Sequence, residues 1–467
     1  MLESKILQFP SLSSLPDSLL AILDSPNIVN SLKEQGDIGR EELHRIGRQV
    51  LSGLMDDEET MKEWLDDADA CMALMDSGRT QKDFPFEQAA NIKYPLLSTA
   101  VVQFSSMISP EFIRNGKLVS HKIQGAVTEQ KERKGRRYDK YLNYQTLEAI
   151  PNFEDSYDSL WSQLPVVGTC FKKTVYDPIN ECIRSDLMPY KLIKVNNNIN
   201  CLDDAPRISQ YMYLTYKEMI ENVRYGVFRE DLNLDPLPET KDFMDNMDLN
   251  YDNPYISKDV GPDEKDWYEL VEQHCWYDLD KDNYPEPYII TIHKKTGTVL
   301  SIIPRFDETS IKMNLNTKKV KKIVAKQYFT DYHFFKNPKG TFFSIGFGKM
   351  LLDPNEVLNA LFNHIVNAGT LSLTRGGFYD ETVQIPHDDY PLKPGEWKPV
   401  RGVPNSKLTD SFMPISYEPP NPVLFQLLGM MIQSSQALTA STEVLTGTAD
   451  TTNASPNTVA QLRDEGH

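Results

Sequence analysis

The spacing of apolar positions predicts three helical tracts in the first third of the chain. Residues 40–75 place apolar side chains three and four positions apart with charges between them, which is typical of an amphipathic helix. Residues 94–107 are apolar on nearly every side and predict a helix at the centre of a core. A third tract, residues 126–147, is strongly charged. Ahead of these tracts, residues 1–38 predict a flexible or loosely docked arm, because prolines interrupt its short apolar stretches.

The third tract holds a basic cluster, formed by Lys131, Arg133, Lys134, Arg136, Arg137 and Lys140. Glu129, Glu132 and Asp139 are interleaved with this tract of cations. Interleaved charges of both signs are typical of a solvated helix face, which is the simpler interpretation. A patch for nucleic acid or for a partner protein is the alternative.

The middle of the chain changes to a pattern of β-strands. It predicts a strand over residues 166–176, a hairpin over 267–277 and 288–293, and a further strand over 299–304. Residues 230–268 are acidic and rich in proline and asparagine, so they predict a surface loop. Because strands and helices do not alternate regularly and no repeat occurs, the predicted fold class is α+β.

The last third opens with a strong helix start, in which Asp353 is the cap, Pro354 the first position and Glu356 the third. This helix is predicted to continue to about Thr374. An asparagine occupies every fourth position along it, at Asn355, Asn359, Asn363 and Asn367. Residues four apart share a helix face, and asparagine is a mediocre helix former. The stripe therefore indicates a requirement beyond helicity, with an ordinary polar face as the plainer alternative.

A second capped helix is predicted to run from Asn421 to about Leu445. The module between the two helices is rich in proline and glycine, with strand-like pieces at 397–400 and 413–417. A loop of small residues follows at 446–456, and another helix is predicted to begin near Asn457.

Charge usage in these C-terminal helices is unusual. Lysine and arginine are absent between Lys349 and Arg375 and again between Lys407 and Arg463. Each contact to a phosphate adds affinity, so a surface along which a polyanion slides would avoid fixed cations. An interface between helices of neighbouring subunits would give the same pattern. Both interpretations favour an assembly.

The overall composition narrows the function classes. A net charge of −18 disfavours tight groove binding to DNA, which needs a basic footprint. Five widely spaced cysteines without a Cys-x-x-Cys pair predict free thiols rather than disulfides or a zinc site. The chain has no run of about 18 apolar residues and no secretory signal, so we predict no membrane span and a protein made and kept in the cytosol.

Candidate catalytic and metal-binding motifs fail on their spacing. The Asp-x-Asp-x-Asp run at 278–282 starts like a calcium loop, but Asn283 and Ile289 stand where that loop needs glycine and glutamate. A hairpin turn is predicted instead. His387 and the two aspartates after it have no second ligand pair at helical spacing. Without a nucleophile elbow, a zinc-protease motif or a phosphate-binding loop, the sequence predicts no catalytic residue, no metal site and no cofactor.

Taken together, these features resemble the portal proteins of tailed bacteriophages, especially the short-tailed ones, over most of the chain. The resemblance rests on residues 90–97 (Ala-Asn-Ile-Lys-Tyr-Pro-Leu-Leu) opening a helix, and on the strand at 168–178. It rests above all on the C-terminal order of helix, small module, helix, loop and helix. Residues 441–447 followed by Asn457-Thr458 are similar to the end of a stem helix and its tunnel loop.

The resemblance implies an α+β portal-type subunit with a mixed α/β wing, a two-helix stem and a small β-containing clip. The implied segments are an N-terminal arm at 1–38, the wing at 39–352, stem helices at 353–374 and 421–445, the clip at 375–420, a tunnel loop at 446–457 and the start of a crown helix at 458–467. Portals usually continue into a larger crown, so either a minimal crown or an incomplete chain is expected.

The resemblance also implies a role in the virion. Portals of this type are non-enzymatic rings of twelve subunits at one capsid vertex, assembled in the host cytoplasm. Double-stranded DNA passes through the ring during packaging and ejection without sequence-specific binding. The expected partners are the terminase large subunit, tail or adaptor proteins, the major capsid protein and scaffolding proteins, with no membrane.

Two hypotheses about site residues follow from this resemblance. The DNA channel would be lined by the four asparagines of the stripe and by the loop residues Thr448, Asp450, Thr451 and Asn453. Partner docking in the clip would use Trp397, Lys398 and Arg401.

Two other functions stay open at this point. Another virion assembly protein, such as a tail adaptor or a scaffold-type interaction module, need not form a ring with a hole wide enough for DNA. A metal-dependent hydrolase would place its site near His387 and the acidic loop, although the ligand spacing there does not fit.

Overall fold

The fold is seen in a computed structural model of the chain. The structure describes residues 22–23, 25–75, 89–113, 116–177, 181–231, 267–279, 281, 283–313, 320–373, 377–379, 412–414 and 419–438. The chain forms two compact units. The first comprises residues 1–72 and 104–349, and the second comprises residues 73–103 and 350–467.

The helices of the first half of the chain follow the sequence pattern. In chain order they are α1 Ile28–Glu34, α2 Asp37–Met75, α3 Leu96–Phe112, α4 Glu129–Asn143, α5 Phe153–Val167 and α6 Tyr216–Arg224. A π-helical turn, Tyr144–Glu148, extends α4. The three helical tracts predicted from apolar spacing are confirmed as α2, α3 and α4, with their ends shifted by a few residues.

The strands of the first unit form antiparallel sheets. In chain order they are β1 Thr169–Asp177, β2 Cys182–Met188, β3 Ile193–Val195, β4 Arg207–Thr215, β5 Trp267–Tyr277, β6 Glu286–His293, β7 Val299–Pro304, β8 Ile311–Met313, β9 Val320–Ile323 and β10 Phe329–His333. One sheet has the order β3-β4-β5-β6-β7, another has the order β10-β1-β2, and β8 pairs with β9. The predicted hairpin and the strand after it are confirmed as β5, β6 and β7, in a mixed α and β fold.

Helix α2 packs its apolar side against the five-stranded sheet. The inward positions of its first half are at most 6% exposed, namely Leu43, Ile46, Val50 and Leu54. They share one hydrophobic cluster with sheet residues such as Ile290. Steps of three and four residues keep these side chains on one side of a helix, which is why the sequence pattern predicts this element well.

Helix α3 is predicted to be surrounded by core residues, but only one side of it is buried. Leu97 and Val101 are 1% and 3% exposed, whereas the neighbouring Val102 is 66% exposed. One side of this part of α3 is therefore buried and the other is open, although the sequence is apolar on both. Apolar residues are common on protein surfaces, so composition alone does not tell which side of a helix finds partners.

The junction of α5 and β1 corrects one predicted boundary. The sequence predicts a strand from residue 166, but Val166 and Val167 form the last turn of α5. Gly168 ends the helix with φ at 85°, a left-handed conformation that favours glycine, and its N–H donates to the carbonyl oxygen of Leu164 at 2.8 Å. Strand β1 then begins at Thr169. Valine favours strands, but the glycine cap decides where the helix stops.

The described part of the predicted N-terminal arm is packed into the core. Val29 of α1 is 0% exposed and Ile28 is 4% exposed. Asn27, 1% exposed, caps α1 by accepting a hydrogen bond from the N–H of Val29 at 3.1 Å. The same side-chain oxygen accepts from the N–H of Ile302 in β7 at 3.2 Å. The prediction of a loose arm is wrong for residues 27–34, because the proline at 26 precedes a helix cap rather than interrupting a helix.

A buried charged cluster connects the two larger sheets. Lys173 Nζ of β1 lies 2.7 Å from Glu272 Oε1 of β5 and 2.8 Å from Gln210 Oε1 of β4. His274 Nε2 lies 2.8 Å from the same Glu272 oxygen. Burial alone would raise the pKa of Glu272, but Lys173 and His274 hold it below its usual range. Burial lowers the pKa of His274, so the neutral ring donates from Nε2 to the carboxylate.

The five cysteines are free thiols, as predicted. Cys71, Cys170 and Cys275 are buried. Burial raises the pKa of the Cys71 thiol to about 11 and that of Cys275 to about 12. Because the thiolate is the reactive form, the chemistry of these two side chains is suppressed by their surroundings.

The acidic run after β5 belongs to a turn. The carboxylate of Asp278 accepts a hydrogen bond from the N–H of Asn283 at 3.0 Å, and Lys281 and Asn283 have φ values of 61° and 66°. This geometry agrees with the predicted hairpin turn. Most of the predicted acidic surface loop, residues 232–266, lies outside the described residues.

The second unit contains most of helix α7 Phe347–Leu373, strands β11 Gly377–Tyr379 and β12 Phe412–Pro414, and helix α8 Pro422–Leu438. Strands β11 and β12 pair antiparallel. The predicted strand-like piece at 413–417 is thus seen in part, while the piece at 397–400 lies outside the described residues.

Helix α7 begins at Phe347 rather than at the predicted cap, Asp353, so Pro354 lies in its interior. Proline removes one helical hydrogen bond, which normally disfavours such a position. Leu351 and Leu358, on either side of Pro354, are both 0% exposed and lie on one side of the helix. Burial of this side favours a continuous helix in spite of the proline.

Helix α8 has the predicted capped start. Asn421 Oδ1 accepts a hydrogen bond from the N–H of Val423 at 3.0 Å, and Pro422 is the first helical residue. The described helix ends at Leu438, whereas the sequence predicts its end near Leu445. Residues 439–467, with the predicted tunnel loop and crown helix, lie outside the described part of the chain.

Candidate functional site

The asparagine stripe of α7 binds an extended segment of the same chain. Asn359 Oδ1 accepts a hydrogen bond from the N–H of Tyr94 at 2.6 Å. Asn363 Oδ1 accepts from the N–H of Ile92 at 2.7 Å, and its amide donates back to the carbonyl oxygen of Ile92 at 3.2 Å. Asn367 Oδ1 accepts from the N–H of Ala90 at 2.8 Å. We call these three asparagines and residues 90–94 the asparagine ladder.

The ladder depends on a match between two repeats. Residues four apart on a helix are separated by about 6.0 Å along its axis. Residues two apart on an extended chain are separated by about 6.6 Å and present their N–H groups in the same direction. Asparagine at every fourth helical position can therefore bind every second N–H of an antiparallel extended segment. Pro95 helps to keep the segment extended, because the residue before a proline disfavours the helical conformation.

A ring contact lies beside the ladder. The rings of Tyr94 and Phe362 are stacked, with centroids 5.3 Å apart and planes 14° from parallel. Phe362 precedes Asn363 on α7, so one turn of the helix supplies both the ring and the amide. The extended segment is held by its backbone through the asparagines and by a side chain through this contact.

Asn355, the first asparagine of the stripe, has a different environment. It is 2% exposed, and its Oδ1 atom has no hydrogen-bond partner among the described residues. Positions four apart drift around a helix by about 40° per step, because a turn contains 3.6 residues. Asn355 therefore lies close to the buried side of Leu351 and Leu358, whereas the later asparagines reach the flank where the extended segment binds.

The ladder offers a structural explanation of the asparagine stripe within a single subunit. The channel-lining hypothesis directs these amides toward DNA, but Asn355 is buried and the other three bind backbone groups of residues 90–94. Channel lining stays a prediction, and the ladder is a second explanation for the spacing. The remaining residues of the two site hypotheses lie outside the described residues, namely Thr448, Asp450, Thr451, Asn453, Trp397, Lys398 and Arg401.

Asn363→Ala is expected to speed hydrogen exchange at the N–H of Ile92 by about fivefold, since one hydrogen bond contributes about 1 kcal/mol and 1.4 kcal/mol corresponds to a factor of ten. Hydrogen–deuterium exchange with mass spectrometry on a peptide covering residues 90–95 would measure it. His364→Ala, at the next and exposed position of α7, is the matched control and should leave this peptide unchanged. Equal exchange in both variants would contradict the ladder.

Helix α8 contains no charged residue and exposes apolar side chains. The side of α8 that packs against its own chain carries Leu424, Leu428 and Met431, which are partly buried, and Ser435, which is 1% exposed. An adjacent side, about 100° further around the helix, carries Val423, Leu427 and Met430, which are 62%, 40% and 67% exposed. Steps of four and three residues place these three on one stripe. We call them the apolar stripe of α8.

A serine, a histidine and an aspartate also meet in the first unit. His333 Nδ1 lies 2.9 Å from Ser344 Oγ, and its Nε2 lies 2.8 Å from Asp331 Oδ2, which lowers the pKa of that carboxyl. These residue types form acyl-transfer triads. Ser344 is only 3% exposed, however, which leaves its hydroxyl little access to a substrate, and its N–H donates to Thr169 Oγ1 at 2.8 Å. The array fastens the chain before α7 to β1 and β10.

The sequence showed half of each arrangement that it missed. Asp331 and His333 stand at alternate positions of a strand and hence share a face. No periodic spacing in the sequence relates Ser344 to either of them. The asparagine stripe was visible, and Pro95 marked residues 90–94 as extended. Only the structure joins these two features, because Asn363 and Ile92 are 271 positions apart.

Within the described ranges, no three His, Cys, Asp or Glu side chains are grouped so as to hold a metal ion. No helix in the same ranges combines the length and the apolar character needed to cross a membrane. Models of known protein families and curated protein sequences gave no match to this chain.

Proposed function

We propose that this chain is the subunit of a portal ring of a tailed bacteriophage, through which double-stranded DNA enters and leaves the capsid. The observation that carries the proposal is the chemistry of α7 and α8. From residue 350 onward α7 has no lysine or arginine, α8 has no charged residue, and α8 exposes an apolar stripe. This combination is typical of helix surfaces that contact neighbouring subunits and a polyanion rather than bulk solvent.

The apolar stripe supports association with other subunits. Val423, Leu427 and Met430 are between 40% and 67% exposed in the single chain. Burying an apolar side chain fully contributes about 1.5–3 kcal/mol, so covering the stripe against a copy of the chain would stabilise an assembly. Ring symmetry would repeat this contribution at every interface.

The absence of cations supports passage of DNA rather than capture. A lysine or arginine on the channel wall would bind phosphates and add affinity that slows sliding. The net charge of −18 per subunit would repel DNA on average, which would keep it away from the wall. The terminase, tail or adaptor proteins, capsid and scaffolding partners, and the position at one capsid vertex, follow from the resemblance to portal proteins and belong to this proposal.

The test is the shape and mass of the purified full chain. Native mass spectrometry and negative-stain imaging are expected to give a closed ring, of about twelve subunits by analogy with portals, with a central hole that accommodates duplex DNA. A compact monomer would contradict the proposal, and so would a closed oligomer without a hole. The latter result would favour a tail adaptor or a scaffold-type protein.

A further inference from the structure

Helix α4 has one side that is already occupied by its own chain. Asn143 Oδ1 accepts hydrogen bonds from the N–H groups of Leu118 and Val119 at 2.7 Å and 3.0 Å. His121 Nδ1 lies 2.6 Å from Asp139 Oδ2. A side chain at Gly135 would collide with the His121 ring. Positions 135, 139 and 143 therefore form the inner side of α4, against residues 118–121.

The opposite side of α4 is covered with cations and tyrosines. At about 100° per residue, two adjacent stripes point away from the inner side. The first holds Arg133, Arg137, Lys140 and Tyr144, and the second holds Lys134, Tyr138 and Tyr141. All seven are exposed. We call these seven residues the basic–aromatic face.

Most cations of this face are not neutralised by neighbours. Arg133 pairs with Glu129 at 2.6 Å. Lys134, Arg137 and Lys140 form no ion pair with any residue that the structure describes. Asp139, which stands between two of them in sequence, is turned to the inner side by His121. The face is thus a positively charged patch on a chain whose net charge is −18.

The tyrosines distinguish this face from an ordinary solvated helix. Tyr138, Tyr141 and Tyr144 are 65%, 57% and 54% exposed, so their rings lie open to water beside the cations. Exposed rings next to cations suit unpaired nucleobases, because bases stack on aromatic rings while cations bind the phosphates. A duplex would use the cations but would leave the rings without bases to stack on.

We propose that the basic–aromatic face of α4 binds single-stranded nucleic acid. Carboxylates more than about 10 Å from the face are largely screened at 0.1 M salt, whereas the cations of the face act at contact. From Arg133 to Tyr144 the face is about 16 Å long, enough for several nucleotides. The inference goes beyond the proposed function and does not rest on it, because α4 belongs to the first unit and α8 to the second.

The test measures binding of a fluorescent oligothymidylate of about 20 nucleotides to the full chain by anisotropy, at several salt concentrations. Arg137→Gln with Lys140→Gln is expected to weaken binding by about tenfold at low salt and to lower the slope of log affinity against log salt by about 1.4. Lys131→Gln with Arg136→Gln makes the same charge change on the flanks of α4 and is the matched control, expected to have little effect.

The stacking contribution is tested separately. Tyr138→Ala with Tyr141→Ala is expected to weaken binding of the oligothymidylate at least about fivefold, without changing the salt slope. Tyr225→Ala, at an equally exposed tyrosine after α6, is the control. Circular dichroism of each variant would show that the fold is retained.

Several outcomes would overturn the inference. They are the absence of binding, equal losses in the on-face and flanking charge variants, and no effect of the tyrosine substitutions. Tighter binding of a duplex of the same length would overturn it as well. If polyglutamate competes as well as unlabelled oligothymidylate, the face is a site for an acidic protein and the proposal is wrong.

Discussion

Asp57→Ala is expected to lower the free energy of unfolding by about 3–5 kcal/mol, because it removes the buried carboxylate that neutralises Arg207, whose own side chain is 22% exposed. Asp57 of α2 is 0% exposed, and its two carboxylate oxygens lie 2.8 Å and 2.9 Å from the guanidinium of Arg207 in β4. Arg207 also donates to the carbonyl oxygen of Gly53 at 2.8 Å. Chemical unfolding followed by tryptophan fluorescence, at a protein concentration that keeps the chain monomeric, would measure the change.

The neighbouring residue provides the control. Asp56 lies 3.5 Å from the same Arg207, but its side chain is 65% exposed. Asp56→Ala is therefore expected to cost no more than about 1 kcal/mol. Adding Arg207→Met to the Asp57→Ala variant should recover part of the loss, since the cation that lost its buried counterion is then removed as well. If Asp56→Ala and Asp57→Ala cost the same, the buried pair does not hold α2 to the sheet.

Burial and the ion pair with Arg207 shift the pKa of Asp57 in opposite directions. Burial raises the pKa of Asp57 above its usual value, even though Arg207 and Asn196 act to lower it. The ion pair thus does not fully offset the desolvation of the carboxylate. Its main effect is to fix the position of α2 on β4, because Asp57 alone would be a buried charge without a counterion and Arg207 alone would keep only the exposed Asp56.

Met430→Lys is expected to abolish ring assembly while leaving the subunit folded. Met430 is the most exposed member of the apolar stripe of α8, at 67%. A lysine there costs the subunit little, but within a subunit interface it would be a desolvated charge without a partner. That costs about 3 kcal/mol or more, over a hundredfold in the association constant at each interface. Native mass spectrometry would show monomers in place of the closed assembly.

Gly429→Lys is the matched control, at the preceding position of the helix. Gly429 is exposed, a Cβ atom there would meet nothing within 4 Å, and the position lies about 100° around α8 from Met430, away from the apolar stripe. The same charge is introduced in the same helix, but this variant is expected to assemble like the unmodified chain. Rings of normal mass from Met430→Lys would show that the apolar stripe is not an interface, and would remove the main support for the proposed function.

Parts of the fold could be predicted because they depend on neighbouring residues. The spacing of Leu43, Ile46 and Val50 fixed the buried side of α2, and the capped start at Asn421 placed the first turn of α8. The boundary errors also have local causes. Val166 and Val167 favour a strand but end a helix at Gly168, and Pro354 is accommodated inside α7 because buried leucines on both sides favour its continuation.

The candidate site was predicted less completely. The sequence showed four asparagines on one side of a helix and a requirement that helicity did not explain. It could not show that residues 90–94 bind three of them, because no periodicity relates positions so far apart. The exposure of the tyrosines on α4 was equally hidden, since it depends on residues 118–121 occupying the other side.

The sequence by itself determined the mixed α and β class, the free thiols, the amphipathic α2, and the lack of lysine and arginine along α8 and along α7 after Lys349. Each of these follows from composition or from a local repeat, and local repeats are set by backbone geometry. The tertiary structure alone decided that Asp57 pairs with Arg207, that residues 27–34 join the core, and that the stripe forms a ladder. These depend on contacts between distant segments, where burial makes an unpaired polar group costly and so selects its partner.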